Sequence, residues 1–121
     1  MRRLQTKTEL KEEGQFITKL IIEPGVCGFT AEVTAQTNED DEIVLTVTSG
    51  CKAIQNMMAQ LGDTFDPYEL CLCKPGTNPL YRYAEDHFPA HGGCAVIAGI
   101  TKCAEAEAGL ALKKNVSFTF V

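Results

Sequence analysis

Three segments in which apolar and polar residues alternate occupy the first half of the chain, and they constrain the fold more than any other feature. The segments begin at Phe16, Phe29 and Ile43. Alternation with a period of two residues is typical of half-buried β-strands. Two turn-prone stretches, residues 24–28 and 37–42, separate the segments. The sequence therefore predicts a three-stranded antiparallel meander.

The second half of the chain changes to helical periodicity. Apolar residues at i, i+3, i+4 and i+7 predict a helix between Cys51 and Gly62, with Ser49 as its N-cap, and a longer helix over about 95–111. Asp66-Pro67 and Asn78-Pro79 each combine an N-cap residue with a first-turn proline. These two pairs predict two shorter helices, one ending near residues 71–73 and one stopped by the proline at position 89.

The order of the elements indicates the fold class. A last alternating segment, residues 115–121, predicts a final strand beside the first one. Strands first and helices later favour an α+β fold, with an antiparallel sheet of about four strands covered on one face by three to four helices. A chain of 121 residues fits one domain, which we place at residues 16–121. Residues 1–15 lack apolar periodicity and are expected to form a flexible tail or a short helix.

The charge balance of the chain excludes some partners. A net charge of -5 and a pI near 5.0 oppose binding to nucleic acid, which needs clustered Lys and Arg. No apolar run approaches the roughly 18–20 residues that cross a bilayer, and the start of the chain lacks the apolar segment of a secretory signal. We expect a cytoplasmic protein that binds neither nucleic acid nor membranes.

Six cysteines are unusual for a domain that is expected in the cytoplasm. A reducing cytosol disfavours structural disulfides, and a domain of this size does not need them. Free thiols, metal ligands and redox centres are the interpretations that remain.

Three of these cysteines lie at breaks between predicted elements, close to glycines. Cys27 lies in the turn after the first strand, Cys51 begins the first helix, and Cys94 precedes the longest helix. Because the first strand runs up to Cys27 and the third runs up to Cys51, both thiols should lie at the same end of the sheet. Helix N-termini favour the thiolate, which is the form that binds metals.

A metal- or cluster-binding site is the preferred hypothesis for these thiols. His91 and Cys94 have an H-x-x-C spacing that lets both side chains reach one ion. Zinc or an iron–sulfur cluster would accept such mixed ligands. The predicted ligands are Cys27, Cys51 and Cys94, with His91, Cys71 or Cys73 completing the shell, whereas Cys103 is expected in the core.

Two other functional classes stay open at this point. In the first, the protein is a thiol enzyme or redox protein in which Cys51 or Cys94 is the nucleophile and His91 the base. In the second, it is a structural or partner-binding domain with inert thiols. The partner, whether another protein or a small molecule, is not identified by the sequence, and self-association is compatible with it.

Two resemblances rest on these residues. Gly25-Val26-Cys27-Gly28, Ser49-Gly50-Cys51 before a helix, and Cys94 before another helix resemble the TSCPD domain, a module found alone and in some cobalamin-dependent ribonucleotide reductases. That resemblance implies cysteine-based metal binding, although the Thr-Ser-Cys-Pro-Asp signature is replaced here by residues 92–96. The chain is also similar to small proteins of anaerobic prokaryotes that share the Pro-Gly-Val-Cys-Gly-Phe motif and a His-x-x-Cys element.

Overall fold

The structure, a computed structural model, describes residues 17–121 of the chain. Four strands and four helices follow one another in these residues. In chain order they are β1 (Ile17–Ile22), β2 (Ala31–Thr37), β3 (Ile43–Ser49), α1 (Lys52–Leu61), β4 (Thr64–Phe65), α2 (Pro67–Cys71), α3 (Pro79–His87) and α4 (Val96–Glu107). The predicted tail at residues 1–15 lies outside the described residues.

The strands form one antiparallel sheet in the order β1-β2-β3-β4. Ile22 pairs with Ala31, and Ala31 pairs with Ser49, so the ends of β1 and β3 lie at the same end of the sheet. Helix α4 packs on β1 and β2, while α1 packs on β3. The α+β class and the antiparallel sheet covered by helices are confirmed.

Burial alternates along the strands as their sequence pattern predicts. Val33 and Ala35 in β2 are fully buried, whereas Glu32, which precedes Val33 and points to the other face, is exposed. One apolar cluster joins the inner face of the sheet to the helices. Its largest fully buried side chains are Ile43, Leu45, Ile54, Met57, Leu70, Leu80, Ile100, Val33 and Val96.

The fourth strand is not the predicted one. It is the two-residue strand β4, whose Thr64 and Phe65 pair with Val44 and Ile43. Residues 115–121 have no regular secondary structure, so the prediction of a C-terminal strand beside β1 is wrong for this structure. Alternation specifies the two faces of a strand but not its partner, and two residues are too few to show any alternation.

The helix ends follow their capping signals. Asp66 and Asn78 cap α2 and α3 by accepting from backbone N–H groups, and a proline begins each helix. Helix α4 ends at Glu107, four residues earlier than expected near 111, because Gly109 has a positive φ of 78° and turns the chain out of the helix. Within residues 17–121, none of the helices combines the length and apolarity that crossing a bilayer requires.

Candidate functional site

The close packing of α4 on β1 determines where the candidate site forms. Gly99 lies against Ile22, the last residue of β1. At the other end of the helix, Glu107 accepts a hydrogen bond from Thr18 near the start of β1. Helix α4 therefore runs antiparallel to β1, and the loop before α4 meets the turn that follows β1.

The turn after β1 presents Cys27 to solvent. Gly25 and Gly28 have φ values of 97° and 73°, which residues with a side chain rarely adopt. The Gly28 N–H donates to the Gly25 carbonyl at 2.9 Å and closes the turn. Cys27 and its neighbour Val26 are exposed.

The loop before α4 positions His91 and Cys94. The Cys94 N–H donates to the His91 carbonyl at 3.4 Å, which folds the loop back before the helix. Helix α4 begins at Val96, so Cys94 lies just before the first turn and not within it. Cys94 is half-buried against the core, whereas His91 is exposed.

These two loops enclose a cavity of about 100 Å³. Cys27 enters it from the turn after β1, and His91 and Cys94 enter it from the loop before α4. The remaining lining residues are Pro24, Val26 and Gly93. The structure thus places three of the six predicted ligands around one cavity, although they are up to 67 positions apart in the chain.

A second cavity, of about 650 Å³, is wider and more open. Cys94 and His91 line both cavities. Aromatic and apolar residues border the wider one, among them Tyr81 of α3, Phe88 just after α3 and Ile97 of α4. Burial, and then the Cys94 thiol, raise the pKa of the Tyr81 hydroxyl, so this phenol stays protonated at neutral pH.

Cys51 lies at the same end of the sheet as Cys27, because Ile22 and Ser49 both pair with Ala31. It is half-buried against the core and does not line the cavity that Cys27 and Cys94 share. Cys51 is itself the N-cap of α1, without a side-chain capping bond, whereas Ser49 accepts from its N–H at 3.1 Å. The prediction that Ser49 is the N-cap is therefore wrong, because the helix begins two residues later.

Cys71 and Cys73 lie at the end of α2, away from this cavity. Burial, then Glu105 and then Cys73, raise the pKa of the Cys71 thiol to about 12. Neither cysteine is among the residues that line the second, wider cavity.

Cys103 is a core residue, as its helical position predicts. It is buried, and its thiol approaches the carbonyls of Thr18 at 3.5 Å and Val33 at 3.8 Å. Burial, and then Glu107, raise the pKa of this thiol to about 12. Cys103 thus joins α4 to the sheet and remains a neutral thiol at physiological pH.

All six cysteines are free thiols. Within residues 17–121 no group of three or more His, Cys, Asp and Glu side chains has the arrangement of a closed metal site. Cys27, His91 and Cys94 share a cavity, but they are not drawn together around one point. The predicted ligand role of Cys27, Cys51, Cys94, His91, Cys71 and Cys73 stays a prediction.

Tyr81 is the site residue that the sequence analysis did not single out. Its backbone N–H donates to the Asn78 side chain, which caps α3, and this bond fixes the first turn of the helix beside Cys94. The Asn-Pro cap is visible in the sequence, and a tyrosine two residues after the proline can be placed in the first turn from that signal. Its proximity to Cys94 required the tertiary structure.

Comparison with known proteins identifies a family. No curated protein and no solved structure shows significant similarity to the chain. A family model, described as a family of unknown function (DUF6951), matches residues 18–120, which include both loops of the site and the segment after α4. The chain belongs to the DUF6951 family.

Proposed function

We propose that this protein binds a zinc ion at the cavity formed by Cys27, His91 and Cys94. The observation that supports the proposal is that these three side chains, predicted as ligands from their types and spacing, line one small cavity. Two thiolates and one imidazole are ligands that zinc prefers. The expected likeness to cysteine-based metal-binding modules of the TSCPD type points the same way.

The composition of the cavity favours a single ion over an iron–sulfur cluster. Clusters are generally held by four cysteine thiolates. The cavity of about 100 Å³ has two cysteines among its lining residues. A zinc ion with three protein ligands keeps a fourth position for water or for another ligand, as in catalytic zinc sites.

Binding requires the three side chains to close around the ion. Cys27 and His91 are exposed, and glycines adjoin them at positions 28, 92 and 93. A Cβ atom at Gly92 or Gly93 would meet no atom within 4 Å, so the loop before α4 has space to move. Cys94, which is half-buried and packs against the core, is the fixed ligand in this proposal.

Titration with Zn²⁺ and Co²⁺ under reducing conditions tests the proposal. We expect one ion per chain, and a thiolate-to-Co²⁺ charge-transfer absorption band that the C27A/C94A variant lacks. C71A/C73A is the matched control, because it also removes two thiols but none from the cavity. Equal Co²⁺ spectra for wild type and C27A/C94A would refute the proposal, and loss of the band in C71A/C73A would move the site to the end of α2.

The wider cavity favours a second candidate function, a thiol enzyme with Cys94 as nucleophile. Its volume of about 650 Å³ lies within the range of small-molecule sites, and both Cys94 and His91 line it. His91 would take the thiol proton while the Cys94 sulfur attacks an electrophilic carbon. Cys51, the other nucleophile suggested by the sequence, lines neither cavity.

Alkylation with iodoacetamide, from which the sulfur displaces iodide, tests this second candidate in the absence of metal. We expect Cys94 to react faster than the more exposed Cys27 at pH 7, and the H91A variant to lose that advantage. Mass spectrometry of the digested protein identifies which cysteine has reacted. If Cys27 reacts first and H91A leaves the order unchanged, Cys94 has no activated thiol.

A further inference from the structure

The segment after α4 exposes a row of large apolar side chains. Residues 112–121 have no regular secondary structure. Val116, Phe118 and Phe120 alternate with polar residues, and their exposed fractions are 60%, 85% and 101%. Exposed apolar residues in a continuous row mark interaction surfaces in soluble proteins. The alternation, together with the β-branched and aromatic composition, is that of a β-strand without a partner.

The sheet has an open edge that can receive such a strand. Strand β1 is the first in the order β1-β2-β3-β4 and pairs with β2 on one side. Among residues 17–121, no strand pairs with its other side. An open edge presents a row of backbone N–H and C=O groups that another strand can complete.

On the helix-covered face, β1 contributes the buried Ile22 and the half-buried Leu20. The inward side chains of an added strand would lie beside these two residues.

The chain's own segment is poorly placed to fill its own edge. Helix α4 runs from the Ile22 end of β1 to the Thr18 end, so the segment begins at the Thr18 end. Pairing with its own β1 would make it parallel to that strand in an otherwise antiparallel sheet, and parallel pairing is slightly less stable per residue. A segment from another molecule can approach in the antiparallel direction.

We propose that two copies of this chain exchange residues 115–121, each segment adding as an antiparallel strand to the β1 edge of the other copy. Pairing that places Phe118 opposite Leu20 puts the row of apolar side chains on the helix-covered face, beside the half-buried Leu20. The same pairing places Ser117 and Thr119 on the opposite face, beside the exposed Ile21 and Lys19. Strand addition of this kind is a known mode of recognition, and a two-fold axis makes it reciprocal.

Light scattering on the full chain over a range of concentrations tests the exchange. We expect a mass of about twice 13.2 kDa for wild type and a mass near 13.2 kDa for the F118S/F120S variant at the same concentrations. Leu112→Ser is the matched control, because Leu112 is equally exposed but precedes the exchanged segment. A wild-type mass that stays near 13.2 kDa, or a dimer that survives F118S/F120S, would overturn the proposal.

Hydrogen exchange tests which surface forms the pair. Amide exchange in residues 17–22 should slow as the dimer forms, since the edge N–H groups become bonded. A dimer whose formation leaves exchange in these residues unchanged uses another surface, and the inference then fails.

Discussion

Gly99 in α4 packs so closely against Ile22 in β1 that a Cβ atom at position 99 would lie 2.5 Å from the Ile22 Cδ1 and 2.7 Å from its Cγ1. Real Cβ atoms do not approach other atoms this closely, so no larger residue fits without movement. This contact sets the height of α4 above the sheet. It therefore also sets how near the loop with His91 and Cys94 comes to the turn with Cys27.

Gly99→Ala should destabilise the protein by about 1–2 kcal/mol, because the overpacking cost of about 1–3 kcal/mol exceeds the gain of up to about 1 kcal/mol in helix propensity. Urea unfolding measures the change. Gly92→Ala is the control, since a Cβ atom at position 92 would have no other atom within 4 Å, and it should change stability little. Ile22→Val should partly rescue Gly99→Ala, so additive effects of the two substitutions would contradict the contact.

A buried carboxylate holds the other end of α4 to the sheet. Glu107 has 3% of its surface exposed and accepts from Thr18 Oγ1 at 2.7 Å and from Thr37 Oγ1 at 2.9 Å. Glu107→Ala leaves both hydroxyls without this acceptor and should cost about 2–4 kcal/mol of unfolding free energy. Glu105→Ala, which removes the partly exposed ion pair with Lys102, should cost less than about 1 kcal/mol. Equal losses in the two variants would contradict the assigned role of Glu107.

The half-buried Cys71 and the buried Cys103 should make the stability of the protein depend on alkaline pH. The pKa values of Cys71 and Cys103 rise from 9.0 to about 12 on folding, mainly because of burial. The unfolded chain therefore releases these protons first, and stability that is present below about pH 9 should fall as the pH rises toward 12. Urea unfolding between about pH 7 and pH 10.5 should show a shallower fall for C71A/C103A than for wild type. Ile100→Val, a core truncation that removes no thiol, should keep the wild-type slope.

Asn78 connects three helices through one side chain. Its Oδ1 accepts from the Tyr81 N–H at 3.0 Å, and its Nδ2 donates to the Leu70 carbonyl at 3.2 Å and to Thr101 Oγ1 at 3.1 Å. Asn78→Asp keeps the cap but loses both donors, whereas Asn78→Ala loses all three bonds. We expect the free energy of unfolding, measured with urea, to fall by about 1–3 kcal/mol in Asn78→Asp and by more in Asn78→Ala. A stability of Asn78→Asp equal to wild type would show that the amide donors contribute nothing.

Most of the strands and helices could be predicted, because the patterns that specify them involve residues close together in the sequence. Alternation of apolar residues located β1, β2 and β3, and the cap-proline pairs at residues 66–67 and 78–79 located α2 and α3. These signals depend on neighbouring residues alone. The burial of Cys103 also followed from its helical position.

The sequence by itself determined the α+β class, the three-strand meander and the kinds of side chain available for a site. Only the tertiary structure decided that Cys27, His91 and Cys94 share a cavity while Cys51, Cys71 and Cys73 lie outside it. It also decided that Thr64–Phe65, and not residues 115–121, forms the fourth strand. The physical reason is that local propensity and periodicity act over a few residues. The meeting of distant loops depends instead on how closely α4 packs on β1. A single glycine at position 99 allows this close packing.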